Sequence, residues 1–184
     1  FFKCEVIIVI GGFTALIGDA SGRSTGRIAQ SPEVIARNAE KIKQQVMRLV
    51  PEATVLDNTQ WLEDVRLEEF LSKACSRTSP ASLMTRSALS RDGLTVMEMC
   101  YPVIQGMDFV HLTKQSPTPL VQIGGSDQWG NICTGFDLAD AEDSGKMHAM
   151  TVPLLVDAHG QKMGKSTGGA VWLDEEKMKI EDFW

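Results

Sequence analysis

Apolar positions along the chain recur with two periods, one typical of buried strands and one typical of amphipathic helices. An apolar, β-branched run occupies Glu5 to Ile10, which is the pattern of a strand buried on both faces of a parallel sheet. Ser31 and Pro32 then supply a helix cap and a first turn. Apolar residues follow at spacings of three and four until Pro51, which predicts an amphipathic helix. Ala53 to Leu56 is predicted as a second short strand.

The same alternation of helix and strand continues through the second half of the chain. The further predicted elements are a charged helix at Trp61 to Ala74, a helix at Leu94 to Leu112 interrupted at Pro102, a strand at Leu120 to Ile123, a helix at Trp129 to Ala141 and a strand at Met150 to Val156. Strands and helices in alternation predict an α/β fold with a doubly wound parallel sheet, which binds ligands at the carboxyl ends of its strands. No repeat or low-complexity linker divides the sequence, so we expect one domain.

The charge balance limits how this protein can contact nucleic acid. Acidic residues outnumber basic ones, 24 against 18, for a net charge of −6, whereas a broad nucleic-acid-binding face usually carries a basic excess. We therefore expect any RNA contact to be local or to come from sequence beyond these residues. The cysteines at 4, 75, 100 and 133 are too dispersed for a zinc site or a disulfide framework, which indicates a reducing compartment.

A glycine-rich segment follows the strand predicted at Leu120 to Ile123. It reads GGSDQWGN from Gly124 to Asn131. Two glycines at a strand end allow a ligand to approach the backbone closely, and Asp127 and Gln128 present an acceptor and an amide donor for hydroxyl and amino groups. The alternative is a tight capped turn without a ligand. By itself the segment indicates polar recognition at the edge of the sheet and nothing more.

A second glycine-rich segment carries two lysines. It reads KMGKS from Lys162 to Ser166, and two lysines three residues apart beside a hydroxyl can bind a triphosphate as it loses pyrophosphate. One rival interpretation is the P-loop of a kinase or ATPase, G-x-x-x-x-G-K-[S/T]. That pattern requires glycine where this chain has His159. A solvated basic loop is the other alternative.

One face of the helix predicted at Leu94 to Leu112 carries three polar side chains. Tyr101, Gln105 and Asp108 stand at positions i, i+4 and i+7, which places them on the same helical face. A phenol, an amide and a carboxylate in a row can bind a small polar molecule such as an amino acid. A tyrosine in the core and an aspartate at the surface would give the same pattern.

A fourth segment follows the first predicted strand. The glycine pair at 11 and 12 leads through Thr14 to Asp19, and Arg23 and Arg27 come after it. Such a turn can hold a nucleotide or a substrate, and the arginines can bind phosphate bidentately. Gly-Gly turns are common, so this segment counts only in company with the other three.

Together the four segments resemble the tyrosyl-tRNA synthetases of bacteria and organelles, class I enzymes with a Rossmann-like catalytic domain. The similarity runs from about Val9 to Trp184 and is most specific at Gln122 to Ile132. Lys162 to Ser166 is similar to the family's second signature loop, usually K-M-S-K-S, and Gly168 to Asp174 also matches. The resemblance implies a homodimeric tyrosine–tRNA ligase of the bacterial cytoplasm or the organelle matrix, with no DNA or membrane partner. Such an enzyme uses ATP to convert L-tyrosine to tyrosyl-adenylate and transfers the tyrosyl group to tRNA(Tyr).

The resemblance also implies how tyrosine would be held. Asp108 would bind the phenolic hydroxyl, and Gln128 would help at the carboxylate. Thr14 would lie beside the bound amino acid. Three further side chains would hold the amino group: Asp19, Tyr101 and Gln105.

For ATP, the resemblance implies a second set of contacts. Gly124 and Asp127 would line the ribose of the adenylate. Arg23 and Arg27 would contact pyrophosphate or tRNA. Mg²⁺ would accompany the ATP, and the protein would hold no metal or prosthetic group of its own. Three residues would stabilise the transferring phosphoryl group and the departing pyrophosphate: Lys162, Lys165 and Ser166.

The sequence also departs from the family pattern. The first signature, H-I-G-H, is absent, since the histidines are His111, His148 and His159. We therefore expect residues 1–184 to be a catalytic domain without its N-terminal βα unit and without the anticodon-binding domain, and to be inactive by themselves. We also expect a dimer contact at Leu94 to Met99. The alternative function is that of a non-catalytic, synthetase-like protein that binds RNA, for example in splicing.

Overall fold

Helices and short parallel strands alternate along the chain in a computed structural model. The structure describes residues 4–19, 30–86, 93–142 and 146–156, with isolated positions at 159, 163, 172, 174, 177–179 and 181. The strands are β1 (Ile7–Ile10), β2 (Thr54–Asp57), β3 (Leu120–Gly125) and β4 (Met147–Val152). The α-helices are α1 (Thr14–Ile17), α2 (Pro32–Leu49), α3 (Thr59–Leu62), α4 (Leu67–Glu69), α5 (Pro80–Arg86), α6 (Val96–Gln115) and α7 (Trp129–Ala141). A π-helical turn at Phe70–Ala74 and 3-10 turns at Cys75–Arg77 and Ser126–Gln128 complete the elements.

The strands form two parallel pairs within the described ranges. β1 pairs with β2 from Ile7 opposite Thr54, and β3 pairs with β4 from Leu120 opposite Met147. Parallel pairing is confirmed, and it brings the carboxyl ends of paired strands to the same edge. The two pairs are not hydrogen-bonded to each other in the part of the chain that the structure describes. The single doubly wound sheet therefore remains a prediction.

The centre of the core is the crossing of α6 and α7. Val103 of α6 and Leu138 of α7 are each only 2% exposed, and both belong to one apolar cluster with Ala74 and Leu83. Two glycines, Gly106 and Gly135, face each other at the crossing. Their missing side chains allow the two helix backbones to approach closely. This close approach sets the position of the other side chains of α6 relative to α7.

Two predicted helices, α2 and α7, are confirmed. α2 begins after Ser31, whose side chain accepts a hydrogen bond from the Val34 backbone N–H at 3.4 Å, and it ends before Pro51. α7 has the predicted bounds, Trp129–Ala141. Strong periodicity and clear end signals explain why α2 was predictable, whereas the start of α7 was marked by the glycine-rich segment before it.

The single helix predicted at Trp61 to Ala74 is wrong. The chain forms α3, then a turn, then α4 and the π-helical turn, with Arg66 extended between them at ψ 144°. The sequence has no Gly or Pro here to indicate the break. The physical reason is tertiary: α3 starts immediately after β2 and turns the indole of Trp61 inward, where its N–H finds a buried acceptor.

The interruption predicted at Pro102 is also wrong, because α6 runs through it. Proline removes one helical N–H donor, but Pro102 is among the most deeply buried side chains. The helix is further stabilised by a capping box, in which Thr95 accepts from the Glu98 N–H at 3.2 Å and Glu98 accepts from the Thr95 N–H at 3.0 Å. Burial and capping together offset the missing bond.

The last strand lies earlier than its apolar pattern indicates. A strand was expected at Met150 to Val156, whereas β4 is Met147–Val152. Backbone pairing sets its start, since Leu120 N–H donates to the Lys146 carbonyl at 3.2 Å. His148, the second residue of the strand, lies on its exposed face. In the described ranges, no helix has both the length and the apolar character that crossing a bilayer requires.

The helix crossing yields a first prediction. A Cβ at Gly106 would lie 2.9 Å from Leu138 Cδ1 and 3.2 Å from Gly135 Cα, so Gly106→Ala should lower the free energy of unfolding by about 1–3 kcal/mol through overpacking. Gly135→Ala is the matched control, because its Cβ would meet nothing closer than 3.6 Å and alanine favours helix. Urea unfolding measures both. Equal stability of the two variants would contradict the close approach.

Candidate active site

A buried carboxylate lies where α1, α3 and α6 meet. Asn58 donates its side-chain amide to Asp108 Oδ2 and to Thr14 Oγ1, each at 3.2 Å, and accepts from the Phe13 N–H at 2.9 Å. Trp61 Nε1–H donates to Asp108 Oδ1 at 2.9 Å. Asn58 is 1% exposed and Asp108 8%. We call Thr14, Asn58, Trp61 and Asp108 the carboxylate cluster.

Burial dominates the electrostatics of this cluster. It raises the pKa of Asp108 from its ordinary 3.8 to about 6, while the hydrogen bonds from Asn58 and Trp61 work in the opposite direction. These donors stabilise the charged form, and desolvation destabilises it. The causes of this pKa shift are burial and two neutral donors, and none of them is a cation. The charge of the carboxylate is therefore not neutralised by a neighbour, which makes it a strong acceptor for a further hydroxyl donor.

A second group of polar side chains joins α1, α6 and the start of α7. Gln128 Nε2 donates to Asp19 Oδ2 at 2.9 Å. Asn131 Nδ2 lies 3.4 Å from Asp19 Oδ2 and 3.2 Å from both Gln105 Oε1 and Gln128 Oε1. Three acceptor oxygens therefore surround one amide nitrogen that has only two hydrogens. We call Asp19, Gln105, Gln128 and Asn131 the amide cluster. Its carboxylate and amide oxygens are acceptors of the kind that an ammonium group needs.

The two clusters are neighbours because they share two elements. α1 and the residues after it carry Thr14 and Asp19, and α6 carries Gln105 and Asp108 one helical turn apart. Three residues of α-helix advance about 4.5 Å. One molecule the size of an amino acid can therefore meet the acceptor-rich group at one end and the buried carboxylate at the other.

Glycines position both clusters. Gly18 ends α1 with φ +80°, a conformation that side chains with a Cβ rarely adopt, and it directs the next residue, Asp19, toward α7. A Cβ at Gly124 would lie 3.0 Å from Gln128 Cβ and 3.3 Å from Ile132 Cδ1. The end of β3 and the first turn of α7 therefore lie so close that a side chain at position 124 would crowd them.

Most of the candidate residues in the described ranges gather here. Thr14 and Asp108 meet through Asn58, and Asp19, Gln105 and Gln128 meet through Asn131. The remaining three described candidates lie on the same elements: half-buried Tyr101 one turn before Gln105 on α6, Gly124 at the end of β3, and half-buried Asp127 in the 3-10 turn. Five candidates lie outside the described residues: Arg23, Arg27, Lys162, Lys165 and Ser166.

One backbone contact relates the lysine segment to the sheet. Met163 N–H donates to the Leu155 carbonyl at 2.9 Å. Leu155 follows the end of β4 at Val152 by three residues, so this contact lies beyond the carboxyl end of that strand.

Within the described residues, no group of three or more His, Cys, Asp or Glu side chains is arranged to hold a metal ion.

Four side chains of the site were not found from the sequence. Asn58 and Trp61 hold Asp108, Asn131 joins the amide cluster, and His111 stacks on Trp61. Two of them carried a usable signal: Asn58 immediately follows β2, where polar residues of parallel strands bind ligands, and Asn131 lies within the segment from Gly124. Trp61 and His111 carried none.

The cluster yields a prediction about Trp61. Trp61→Phe keeps an aromatic ring but removes the N–H donor, so the pKa of Asp108 should rise above about 6, because the charged form loses a hydrogen bond. Titration of the Asp108 carboxyl carbon by NMR measures this. A lower or unchanged pKa would show that the indole N–H does not support the carboxylate.

Comparison with known proteins places this chain in a family. A tyrosine–tRNA ligase of Mycoplasma capricolum is 37% identical over 183 residues, covering 97% of this chain and 44% of the relative. Tyrosine–tRNA ligase 2 of Bacillus cereus is 38% identical over 188 residues, covering 97% of this chain and 45% of the relative. The chain thus spans less than half the length of these curated relatives.

Solved structures and a family model agree with these relatives. The Aspergillus nidulans mitochondrial tyrosyl-tRNA synthetase, truncated at its C-terminus, superposes with a TM-score of 0.70 at 25% identity, over 88% of this chain and 55% of that one. The Archaeoglobus fulgidus tyrosyl-tRNA synthetase, solved with L-tyrosine, has a TM-score of 0.69 at 18% identity, over 90% and 50%. The model of the tRNA synthetases class I (W and Y) matches residues 2–184. The chain therefore belongs to the class I tRNA synthetases (W and Y).

Proposed function

We propose that the protein containing this chain is a tyrosine–tRNA ligase. It activates L-tyrosine with ATP to give tyrosyl-adenylate and pyrophosphate, and transfers the tyrosyl group to tRNA(Tyr). The observation that carries the proposal is the buried Asp108, which lies one helical turn from the acceptor-rich amide cluster. These two subsites match an amino acid with a hydroxyl at one end and an ammonium at the other. The names of the relatives support the same activity.

The carboxylate cluster recognises the phenol. Asp108 accepts the hydrogen bond of the phenolic O–H, while Asn58 and Trp61 keep its oxygens oriented. Phenylalanine would leave this buried acceptor without its partner, which is costly in a water-excluded site. Thr14 shares Asn58 with the carboxylate and lies beside the ring.

The amide cluster binds the other end of tyrosine. Asp19 and the carbonyl of Gln105 accept from the ammonium, with Tyr101 on the adjacent turn of α6. Gln128 contributes its amide N–H toward the substrate carboxylate, which must point to ATP. The crystal of the Archaeoglobus fulgidus relative contained L-tyrosine, which supports a tyrosine site on this fold.

ATP binds beside tyrosine at the ends of β3 and β4. The tight turn at Gly124 lets the ribose approach the backbone, and Asp127 accepts from its hydroxyls. The substrate carboxylate oxygen attacks the α-phosphorus. The bond between the α-phosphorus and the oxygen that bridges to the β-phosphate breaks, and pyrophosphate leaves. This step requires no proton transfer. Lys162, Lys165 and Ser166 stabilise the charge on the phosphates. Mg²⁺ accompanies ATP, and Arg23 and Arg27 contact pyrophosphate or tRNA.

Transfer to tRNA and assembly complete the proposal. A ribose hydroxyl of the terminal adenosine attacks the activated carbonyl, and AMP leaves. The protein works as a homodimer, with residues 1–184 forming part of a catalytic domain. Val96 and Met97 at the start of α6 are 77% and 52% exposed, which supports a dimer contact at Leu94 to Met99. The cytoplasm or an organelle matrix is its compartment.

Tyrosine-dependent exchange of pyrophosphate into ATP by the full-length protein tests the activation step. Lys165→Ala should lower kcat by roughly 10²–10³-fold, the usual cost of removing one group that stabilises the transition state. Lys146→Ala, which changes an exposed lysine before β4, is the matched control and should be unaffected. Exchange that does not depend on tyrosine would remove the proposed substrate. No exchange at all would favour the non-catalytic alternative.

Amino-acid discrimination tests the role of Asp108. Sites that hydrogen-bond a substrate hydroxyl discriminate by roughly 10⁴–10⁵-fold, a range for which tyrosyl-tRNA synthetases are themselves the reference example. Asp108→Ala should reduce the ratio of kcat/KM for tyrosine over phenylalanine by about 10²-fold or more. Asp140→Ala, which removes an exposed carboxylate of α7, serves as the control. An unchanged ratio in the Asp108 variant would show that the phenol binds elsewhere.

A further inference from the structure

We propose that His111 is a positioning residue for the recognition of the substrate hydroxyl. Its imidazole stacks on the indole of Trp61 and so acts as a brace. It holds the indole in the orientation from which Nε1–H donates to Asp108. This inference deepens the proposed function and rests on it for its effect on substrate choice. The brace itself is a property of the folded chain.

The stack and the hydrogen bond form one continuous set of contacts. The rings of Trp61 and His111 are nearly parallel, at an interplanar angle of 11°, with centroids 4.5 Å apart. The same indole donates to Asp108 Oδ1 at 2.9 Å. His111 follows Asp108 by three residues on α6, so one turn of a single helix carries both the carboxylate and the ring that orients its donor.

Trp61 needs such a brace because a cavity lies beside it. The cavity has a volume of about 260 Å³. The cavity is open to solvent, so protein packing against the indole is sparse on that side and its orientation depends on the contacts that it does make. Six of the residues lining the cavity are Trp61, Leu62, Val65, Met107, His111 and Leu138. Without the imidazole, the indole could rotate into this space and withdraw its N–H from Asp108.

His111 is itself fixed in place and uncharged at neutral pH. The side-chain amide nitrogen of Gln115, one turn further along α6, lies 2.9 Å from His111 Nε2, and because an amide N–H can only donate, Nε2 is the acceptor. Burial, and then the charge of Lys114, lower the pKa of His111 below its ordinary 6.5. The brace is therefore a neutral ring, and another aromatic ring can replace it.

The experiment compares three substitutions at position 111 in the full-length protein. His111→Ala and His111→Gln remove the ring, and the glutamine keeps a polar side chain in case alanine disturbs folding. His111→Phe restores a stacking ring without a titrating group. Asp64→Asn, which changes an exposed side chain at the same cavity, is the matched control. Two quantities are measured: the pKa of Asp108 from its carboxyl carbon, and kcat/KM for tyrosine and phenylalanine.

Both ring-deleting variants should raise the pKa of Asp108 and lower the tyrosine-over-phenylalanine ratio by about tenfold, the size expected for one aromatic stack. The loss should appear mainly in KM for tyrosine, because the hydroxyl is bound before and during reaction. His111→Phe should restore both quantities, which a merely structural role would not predict. An unchanged pKa after ring deletion, or no rescue by phenylalanine, would overturn the inference. The NMR titration needs no activity, so failure of the brace can be separated from failure of the proposed function.

Discussion

The burial of one carboxylate constrains much of the surrounding structure. Moving an ionised carboxyl out of water costs several kcal/mol unless hydrogen bonds replace its hydration. Asp108 is 8% exposed and accepts hydrogen bonds from the amide of Asn58 and the indole of Trp61. Those donors only partly offset desolvation, since the pKa stays raised at about 6. Its remaining capacity to accept hydrogen bonds is what suits the group to the proposed recognition of a substrate hydroxyl.

This requirement accounts for irregular features of the chain nearby. Asn58 must follow β2 without a spacer, and α3 must be short and inward-facing, because both supply donors to the same carboxylate. Asn58 uses both amide hydrogens and its carbonyl oxygen on three different partners. A buried amide that is satisfied three times holds α1, β2 and α6 in one arrangement. The break between α3 and α4 comes directly after the short helix that carries the indole donor to Asp108.

Helix α6 is the element that connects the two subsites. Its capping box at Thr95 and Glu98 fixes where it begins, and its close approach to α7 at Gly106 fixes its distance from the amide cluster. Gln105 then lies in the amide cluster and Asp108 in the carboxylate cluster. The match to the class I tRNA synthetases (W and Y) covers this whole helical region, since it runs over residues 2–184.

The sequence by itself determined the features that depend on local order. The amphipathic period gave α2, the i, i+4, i+7 spacing placed Tyr101, Gln105 and Asp108 on one face, and the glycine-rich segment at Gly124 marked the start of α7. In each case the residues that interact are close in sequence, so their pattern is visible without knowledge of the fold.

Only the tertiary structure decided which polar groups meet. Thr14 and Asn58 are 44 positions apart, and Asp19 and Asn131 are 112 apart. The break after Trp61, and the stacking of His111 on that indole, have no local signature, because the partner that makes them favourable lies on another element. A buried donor adopts whatever backbone reaches its acceptor, and which acceptor is within reach depends on how the helices pack.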